Sequence, residues 1–253
     1  MEDESGDLLM ARTKLVIGAS GFLGSHVTKQ LVARGEDVRV MIRSTSSTQG
    51  IDGLPVDIHY GDIFDTDAVR AAMQGCDVVY YCVVDARAWL RDPGPLWRTN
   101  VEGLRNVLDV AVDADLYRFV FTSSIGTIGR SPDGLADEDT AHNWLDVGGD
   151  YIRSRVAAED LVVRYCTEKG LPGVAMCVAN TFGPGDWLAV REACPVLLSR
   201  LSPPESSPGL ATTTPSAPEL IPVAANPFGA GTVGVPAAPF LAPPSSLLSL
   251  ELL

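Results

Sequence analysis

The chain has 253 residues and a formal net charge of −13, with 19 lysine and arginine residues against 32 aspartate and glutamate residues. This length favours one domain of about 150–200 residues with a smaller segment beside it. The acidic balance argues against a general nucleic-acid surface, because phosphate backbones need a basic footprint. No run of about 18 apolar residues is without proline or charge, so we predict no membrane span.

The amino-terminal residues and the cysteines indicate the cellular compartment of the protein. Residues 1–10 carry acidic side chains and no basic one, which predicts a flexible tail and is unlike a signal or transit peptide. The 5 cysteines are odd in number and widely spaced, so we expect reduced thiols, not a disulfide or zinc framework. The 3 histidines have no Cys or carboxylate partner at metal-ligand spacing. We therefore expect a cytoplasmic protein without a metal site.

Apolar runs and amphipathic segments alternate along residues 11–187. The strands are predicted at 15–17, 37–43, 56–60, 77–84, 118–123 and 173–179, and the helices at 22–34, 65–75, 96–114 and 151–169. This alternation is typical of βαβ units in an α/β, Rossmann-type, doubly wound parallel sheet. The expected strand order is 3-2-1-4-5-6, with a ligand at the switch between strands one and four.

A glycine-rich turn follows the first predicted strand. Gly18, Gly21 and Gly24 stand three residues apart and lead into an amphipathic helix. In such a turn the first glycine permits a tight bend, the second lets backbone N–H groups approach a pyrophosphate, and the third lets helix and strand pack closely. The helix N-terminus adds a partial positive charge. The turn therefore predicts dinucleotide binding.

The composition changes abruptly at about residue 188. Residues 188–253 hold 12 of the chain's 18 prolines and show neither helical nor strand periodicity. This Pro/Ala-rich segment is predicted to be a low-complexity, non-globular tail. We hypothesise that it is an aberrant, frame-shifted segment in place of a substrate domain.

Several further motifs occur in a fixed order with the glycine turn. They are Gly61-Asp62-Ile63, Thr99-Asn100-Val101-Glu102-Gly103, Phe121-Thr122-Ser123-Ser124, Tyr151-x-x-x-Arg155 and Asn180-Thr181-Phe182-Gly183-Pro184-Gly185. Together they resemble the extended short-chain dehydrogenase/reductases. Within these, the chain is most similar to the NAD-dependent epimerase/dehydratase family, near the dihydroflavonol-4-reductase and 3β-hydroxysteroid-dehydrogenase-like reductases. The resemblance covers residues 13–187.

The resemblance implies an NAD(P)-binding site. Its residues would be Gly18, Ser20, Gly21, Phe22, Leu23, Gly24, Arg43, Asp62, Ile63 and Asn180. Arg43 ends the second strand, where an acidic residue would bind the ribose of NAD. Because a guanidinium suits a 2′-phosphate, we expect NADP, with NAD as the alternative. Asp62 and Ile63 would hold the adenine. In the structural alternatives, Arg43 is a solvated surface residue and Asp62 only caps the following turn.

By the same resemblance the catalytic residues would be Ser124, Tyr151 and Arg155. Spacing i, i+4 puts Tyr151 and Arg155 on one helix face. The tyrosine would exchange a proton with the substrate oxygen while Ser124 hydrogen-bonds it. The family has lysine where this chain has Arg155, and arginine keeps the charge but cannot release a proton. Arg155 is therefore either a slower working variant or a sign of impaired chemistry.

Three functions remain open from the sequence. The first is an NAD(P)-dependent oxidoreductase that reduces a ketone or oxidises a secondary alcohol of a small molecule. The second is a nucleotide-sugar epimerase or dehydratase, which uses the same hydride chemistry. The third is a catalytically impaired, nucleotide-binding truncated product. The resemblance also implies a homodimer formed through the helices that begin near Leu96 and Tyr151.

Overall fold

A computed structural model describes residues 13–132, 134–181 and 183–186. The strands are β1 (Thr13–Ile17), β2 (Val38–Ile42), β3 (Asp57–Tyr60), β4 (Cys76–Tyr81), β5 (Arg118–Thr122) and β6 (Gly173–Met176). All six strands are parallel and lie in the order β3-β2-β1-β4-β5-β6. The predicted Rossmann-type sheet and its strand order are therefore confirmed.

The helices connect the strands and cover the sheet. They are α1 (Phe22–Ala33), α2 (Thr66–Met73), α3 (Gly94–Trp97), α4 (Leu104–Val112) and α5 (Gly149–Lys169). Asp65 caps α2, because its carboxylate accepts hydrogen bonds from the backbone N–H groups of Asp67 and Ala68. Gly170 ends α5 in the left-handed conformation, at φ 70°.

The buried side chains form two clusters, and neighbouring residues of β1 belong to different ones. Leu15 and Ile17 belong to the larger cluster, together with residues of α2, α4 and α5 such as Val69, Leu108 and Leu161. Val16 belongs to the smaller cluster, which includes Leu31 of α1 and residues of β2. Successive residues of a strand point to opposite faces, so helices on both sides explain why Leu15, Val16 and Ile17 are all apolar.

The prediction of one continuous α-helix over residues 96–114 is wrong for the middle of this segment. A π-helical turn, Arg98–Gly103, separates α3 from α4. Asn100 in this turn is 1% exposed and bonds the backbone of Asp85, so the turn brings a polar side chain into the interior. Gly103 lies against Ile63, where an added Cβ would stand 2.3 Å from Ile63 Cδ1. Such π-helical turns, which contain one extra residue, occur frequently at functional sites.

Two predicted segments fall outside the described residues: the acidic tail at 1–10 and the Pro/Ala-rich segment at 188–253. Within the described part of the chain, no helix is long and apolar enough to cross a membrane. The cysteines of that part, Cys76, Cys82, Cys166 and Cys177, form no disulfide. The same ranges contain no group of three His, Cys, Asp or Glu side chains that could hold a metal ion.

Candidate active site at the carboxyl edge of the sheet

The turn between β1 and α1 needs glycine at two positions for its own packing. Gly18 has φ +89°, and a Cβ there would lie 2.9 Å from Val83 Cγ2. A Cβ at Gly24 would lie 2.3 Å from the carbonyl oxygen of Gly18, closer than any real contact. Larger residues would therefore push β1 and α1 apart.

Gly21 is not required by packing in the same way. A Cβ there would meet the Gly18 carbonyl oxygen at 3.4 Å and nothing closer. Gly21 is exposed and is the N-cap of α1, which has no side-chain cap and no acidic residue in its first turn. The open surface and the uncapped helix N-terminus fit a pyrophosphate, which would be bound by backbone N–H groups.

Asn180 lies near the start of α1. With Phe22 and Leu23 it lines a groove of about 360 Å³ between α1 and the segment after β6. His26 Nε2 lies 3.0 Å from the Pro184 carbonyl oxygen and ties that segment to α1. Ser20 is half-buried within the glycine turn. The structure therefore brings Ser20, Phe22, Leu23 and Asn180 to one region.

The other three predicted cofactor residues lie beyond β2 and β3. Arg43 is exposed directly after β2. Asp62 accepts a hydrogen bond from Phe64 N at 3.1 Å, the capping role that was the structural alternative. Ile63 is 8% exposed and belongs to the larger core cluster. Arg43 is thus the most exposed of the three, while Asp62 is half-buried and Ile63 is buried.

Ser124 lies two residues after the end of β5, at the start of a short 3₁₀ turn over Ile125–Thr127. Its Oγ accepts a hydrogen bond from Gly126 N at 3.1 Å. A hydroxyl that accepts through a lone pair keeps its proton for another acceptor. Ser124 can therefore donate a hydrogen bond to a substrate oxygen.

Tyr151 is half-buried in the first turn of α5, which packs against the Ser124 turn. The side chain of Ile152 fills the space beside Gly126, since a Cβ on Gly126 would lie 2.6 Å from Ile152 Cδ1. This contact places the residue next to Tyr151 directly against the turn that holds Ser124.

Arg155 lies beneath the end of β5 and is 1% exposed. Its Nη2 donates to the Thr122 carbonyl oxygen, and its Cζ lies 4.8 Å from the centre of the Phe121 ring. Nε and Nη1 have no hydrogen-bond partner among the described atoms. Burial lowers the pKa of Arg155 from its ordinary value, while Tyr151, Tyr81 and Glu159 act in the opposite direction. Arginine remains protonated at neutral pH even so.

A buried polar network supports the first turn of α5. Asn100 Oδ1 accepts from Asp85 N at 2.7 Å, and Asn100 Nδ2 donates to Asp85 O and to Ser154 Oγ, each at 3.0 Å. Ser154 Oγ donates to Tyr151 O at 2.8 Å. The network joins the end of β4 to the helix turn that carries Tyr151. The sequence motif pointed to Asn100, but nothing in the sequence indicated Ser154.

Asp85 also pairs with Arg87 at this edge. Arg87 Nη2 lies 2.6 Å from Asp85 Oδ2, and Arg87 Nε lies 2.9 Å from Asp85 Oδ1. These hydrogen bonds hold the pKa of the Asp85 carboxyl below its ordinary value, against the effect of burial. Asp85 is therefore a carboxylate at neutral pH.

Comparison with known proteins agrees with this geometry. The model of the NAD dependent epimerase/dehydratase family matches residues 14–202, which extends past the predicted domain end at 187. The chain is 34% identical over 175 residues to sterol demethylase protein B of Methylococcus capsulatus, covering 69% of this chain and 53% of that protein. It is 27% identical over 208 residues to a dihydroflavonol 4-reductase of Dianthus caryophyllus, covering 76% and 57% respectively. The chain thus spans about half the length of the curated relatives it matches.

A solved structure shows the same fold. The UDP-glucose 4-epimerase of Brucella ovis, in complex with NAD, is 28% identical and superposes with a TM-score of 0.60. The match covers 67% of this chain and 52% of the epimerase. With the glycine turn, the strand order and the family match in agreement, the chain belongs to the NAD-dependent epimerase/dehydratase family of extended short-chain dehydrogenase/reductases.

Proposed function

We propose that the protein is an NADP-preferring oxidoreductase that reduces a ketone, or oxidises a secondary alcohol, of a small cyclic or aromatic-like molecule. The observation that carries the proposal is the docking of α5 on the end of β5. Arg155 bonds the Thr122 carbonyl, and Ile152 packs on Gly126. Both contacts bring the helix turn of Tyr151 to the turn of Ser124, at the edge of the sheet where the glycine turn lies.

Each of these residues has a separate task in the proposed reaction. In the direction of reduction, Tyr151 gives its hydroxyl proton to the oxygen of the substrate carbonyl, and Ser124 donates a hydrogen bond to the same oxygen. The glycine turn and Arg43 would hold the cofactor, which would supply a hydride to the substrate carbon as NADPH and would accept one as NADP⁺ in the opposite direction. Oxidation reverses the proton transfer, and Tyr151 then receives the hydroxyl proton of the alcohol.

Arg155 contributes its charge. A nearby positive charge stabilises the phenolate that forms when Tyr151 gives up its proton. Arg155 is that cation, one helical turn from Tyr151. Its Nη2 is bonded to Thr122, and its Cζ lies over the Phe121 ring, while Nε and Nη1 have no partner among the described atoms, so it acts through the field of a buried charge. Arginine cannot pass on a proton, so Tyr151 must exchange its proton with water or through another hydroxyl.

A nucleotide-sugar epimerase is the second candidate. It is favoured by the 28% identity to the UDP-glucose 4-epimerase that was solved with NAD. The two candidates share the hydride step, but an epimerase keeps its cofactor bound through the reaction and shows no net oxidation or reduction.

The test is a set of assays on the full chain. NADPH and NADH oxidation are followed with a panel of cyclic and aryl ketones, and NADP⁺ and NAD⁺ reduction with the matching alcohols. Turnover with NADPH and a ketone supports the proposal. Interconversion of UDP-sugars without net change of cofactor would support the epimerase. NADPH binding without turnover on any of these substrates would favour the impaired, nucleotide-binding protein.

A further inference from the structure

Glu159 is a carboxylate that the proposed chemistry does not use. It lies one helical turn beyond Arg155 and two turns beyond Tyr151, so the three share one face of α5. Its Oε2 accepts a hydrogen bond from the hydroxyl of Ser123 and, at 2.8 Å, from that of Thr127. Two donors from the segment after β5 therefore converge on one oxygen of α5.

These two donors flank Ser124. Thr127 Oγ1 lies 2.7 Å from the Ser124 carbonyl oxygen as well as 2.8 Å from Glu159 Oε2. A hydroxyl has one proton, and a carboxylate is the stronger acceptor, so Thr127 donates to Glu159. The Ser124 carbonyl still accepts from Thr127 N at 3.0 Å. Glu159 thus fixes the side chain that closes the turn around Ser124.

Hydroxyl donors hold the Glu159 carboxylate, although its charge also interacts with that of Arg155. Among the described residues Glu159 forms no ion pair, and the Arg155 guanidinium is directed to Thr122. Charge-assisted hydrogen bonds from hydroxyls are about twice as strong as neutral ones. The Glu159 contacts therefore connect α5 to Ser123 and Thr127, whereas Arg155 is bonded to Thr122.

Building on the proposed function, we propose that Glu159 is a positioning residue for Ser124. Its carboxylate ties Ser123 and Thr127 to the helix face that carries Tyr151. The hydroxyls of Ser124 and Tyr151 are thereby held at a fixed separation, so that both can reach one substrate oxygen. Glu159 itself touches neither substrate nor cofactor.

The test compares Glu159→Ala and Glu159→Gln with Glu168→Gln, a control at an exposed glutamate near the end of the same helix. Because a misplacement of about 1 Å can cost about 100-fold in rate, we expect kcat to fall about 10- to 100-fold in Glu159→Ala. KM and the NADPH dissociation constant should change less than about threefold, since only the positioning is lost. Glu159→Gln keeps an acceptor oxygen and should recover part of the rate, whereas Glu168→Gln should match the wild type.

A second readout does not depend on turnover. Amide hydrogen exchange at Gly126 and Thr127 should become faster in Glu159→Ala and in Thr127→Val, because both lose the contact that closes the Ser124 turn. Unchanged exchange at these amides in both variants would overturn the proposal, as would an unchanged kcat. If Glu159→Ala does not fold, Thr127→Val and Glu159→Gln carry the same comparison. If the wild type turns over no substrate, the proposed function fails while the exchange measurement still decides the role of Glu159.

Discussion

The glycine turn and the β5–α5 pair lie at the same edge of the sheet but are built in different ways. A Cβ at Gly24 would collide with the Gly18 carbonyl oxygen in the same turn, and Gly18 has a positive φ and lies against Cys82 and Val83, just after β4. The Ser124 turn is held by side chains of α5, chiefly Arg155 and Glu159. We call the glycine turn the proposed binding half of the site and the β5–α5 pair the proposed chemical half. The binding half rests mainly on the sterics of its own backbone, whereas the chemical half rests on long-range polar contacts.

The largest effect that we expect concerns the chemical half. Tyr151→Phe should lower kcat about 10²- to 10⁴-fold, because the substrate oxygen loses its proton donor. The NADPH dissociation constant should stay within about threefold of wild type, since the glycine turn is untouched. Tyr117→Phe, at an exposed tyrosine before β5, is the matched control. A Tyr151→Phe enzyme that kept its kcat would remove Tyr151 from the reaction.

Two alanine substitutions test whether Gly24 serves the packing of the glycine turn and Gly21 serves cofactor binding. Gly24→Ala should lower the free energy of unfolding by about 1–3 kcal/mol, because its Cβ would meet the Gly18 carbonyl. Gly21→Ala should cost less than about 1 kcal/mol in stability but weaken NADPH binding about tenfold, because the Cβ occupies the phosphate approach. Urea melts and fluorescence titrations with NADPH measure both quantities. Equal loss of stability in the two variants would contradict the distinction between the two glycines.

Arg43 tests the proposed preference for NADP within the binding half. Arg43→Ala should weaken NADPH binding by about 1.5–3 kcal/mol, the range for a hydrogen bond to a charged group. Binding of NADH, which has no 2′-phosphate, serves as the internal control and should not change. If NADPH and NADH affinities fall together, or if neither falls, Arg43 is a surface residue and the cofactor preference has another source.

Arg155→Lys is a conservative substitution in the chemical half, and it tests whether arginine at this position slows the reaction. We expect kcat to rise about three- to tenfold, less than about 1.4 kcal/mol in barrier height, because an ammonium is more compact and can exchange protons. Stability should fall slightly, since the contacts with Thr122 and Phe121 are weakened. Single-turnover kinetics separates the hydride step from product release. A kcat equal to or below wild type would show that arginine is no handicap here.

The smallest effect concerns pH. Because Arg87 holds the pKa of Asp85 below its ordinary value, the ionised pair stabilises the folded protein above the unfolded pKa of about 3.9. This contribution is lost as the pH falls through the lower, folded-state pKa. Asp85→Asn should therefore lose stability less steeply below about pH 4, as followed by urea melts from pH 3 to 7. Parallel curves for the two proteins would show that the pair does not affect folding.

Much of the fold could be predicted from the sequence because its signals are local. The strand order follows from the alternation of apolar strands and amphipathic helices, and most element ends agree within one to three residues. The exception is the π-helical turn, Arg98–Gly103, where periodicity alone favoured an unbroken α-helix. That turn depends on Asn100 meeting Asp85 and Ser154, partners 15 and 54 residues away.

The sequence alone determined the glycine turn, the sheet and the positions of Ser124, Tyr151 and Arg155 in the chain. The glycine turn and the sheet follow from the geometry of short segments, in which each residue constrains its own neighbours, whereas the resemblance to a known family pointed to Ser124, Tyr151 and Arg155. Only the tertiary structure showed that Arg155 is enclosed beneath β5 and that Glu159 holds Ser123 and Thr127. These contacts join residues more than 30 positions apart, and spacing along the chain carries no signal for them, because only packing of α5 against β5 brings the partners together.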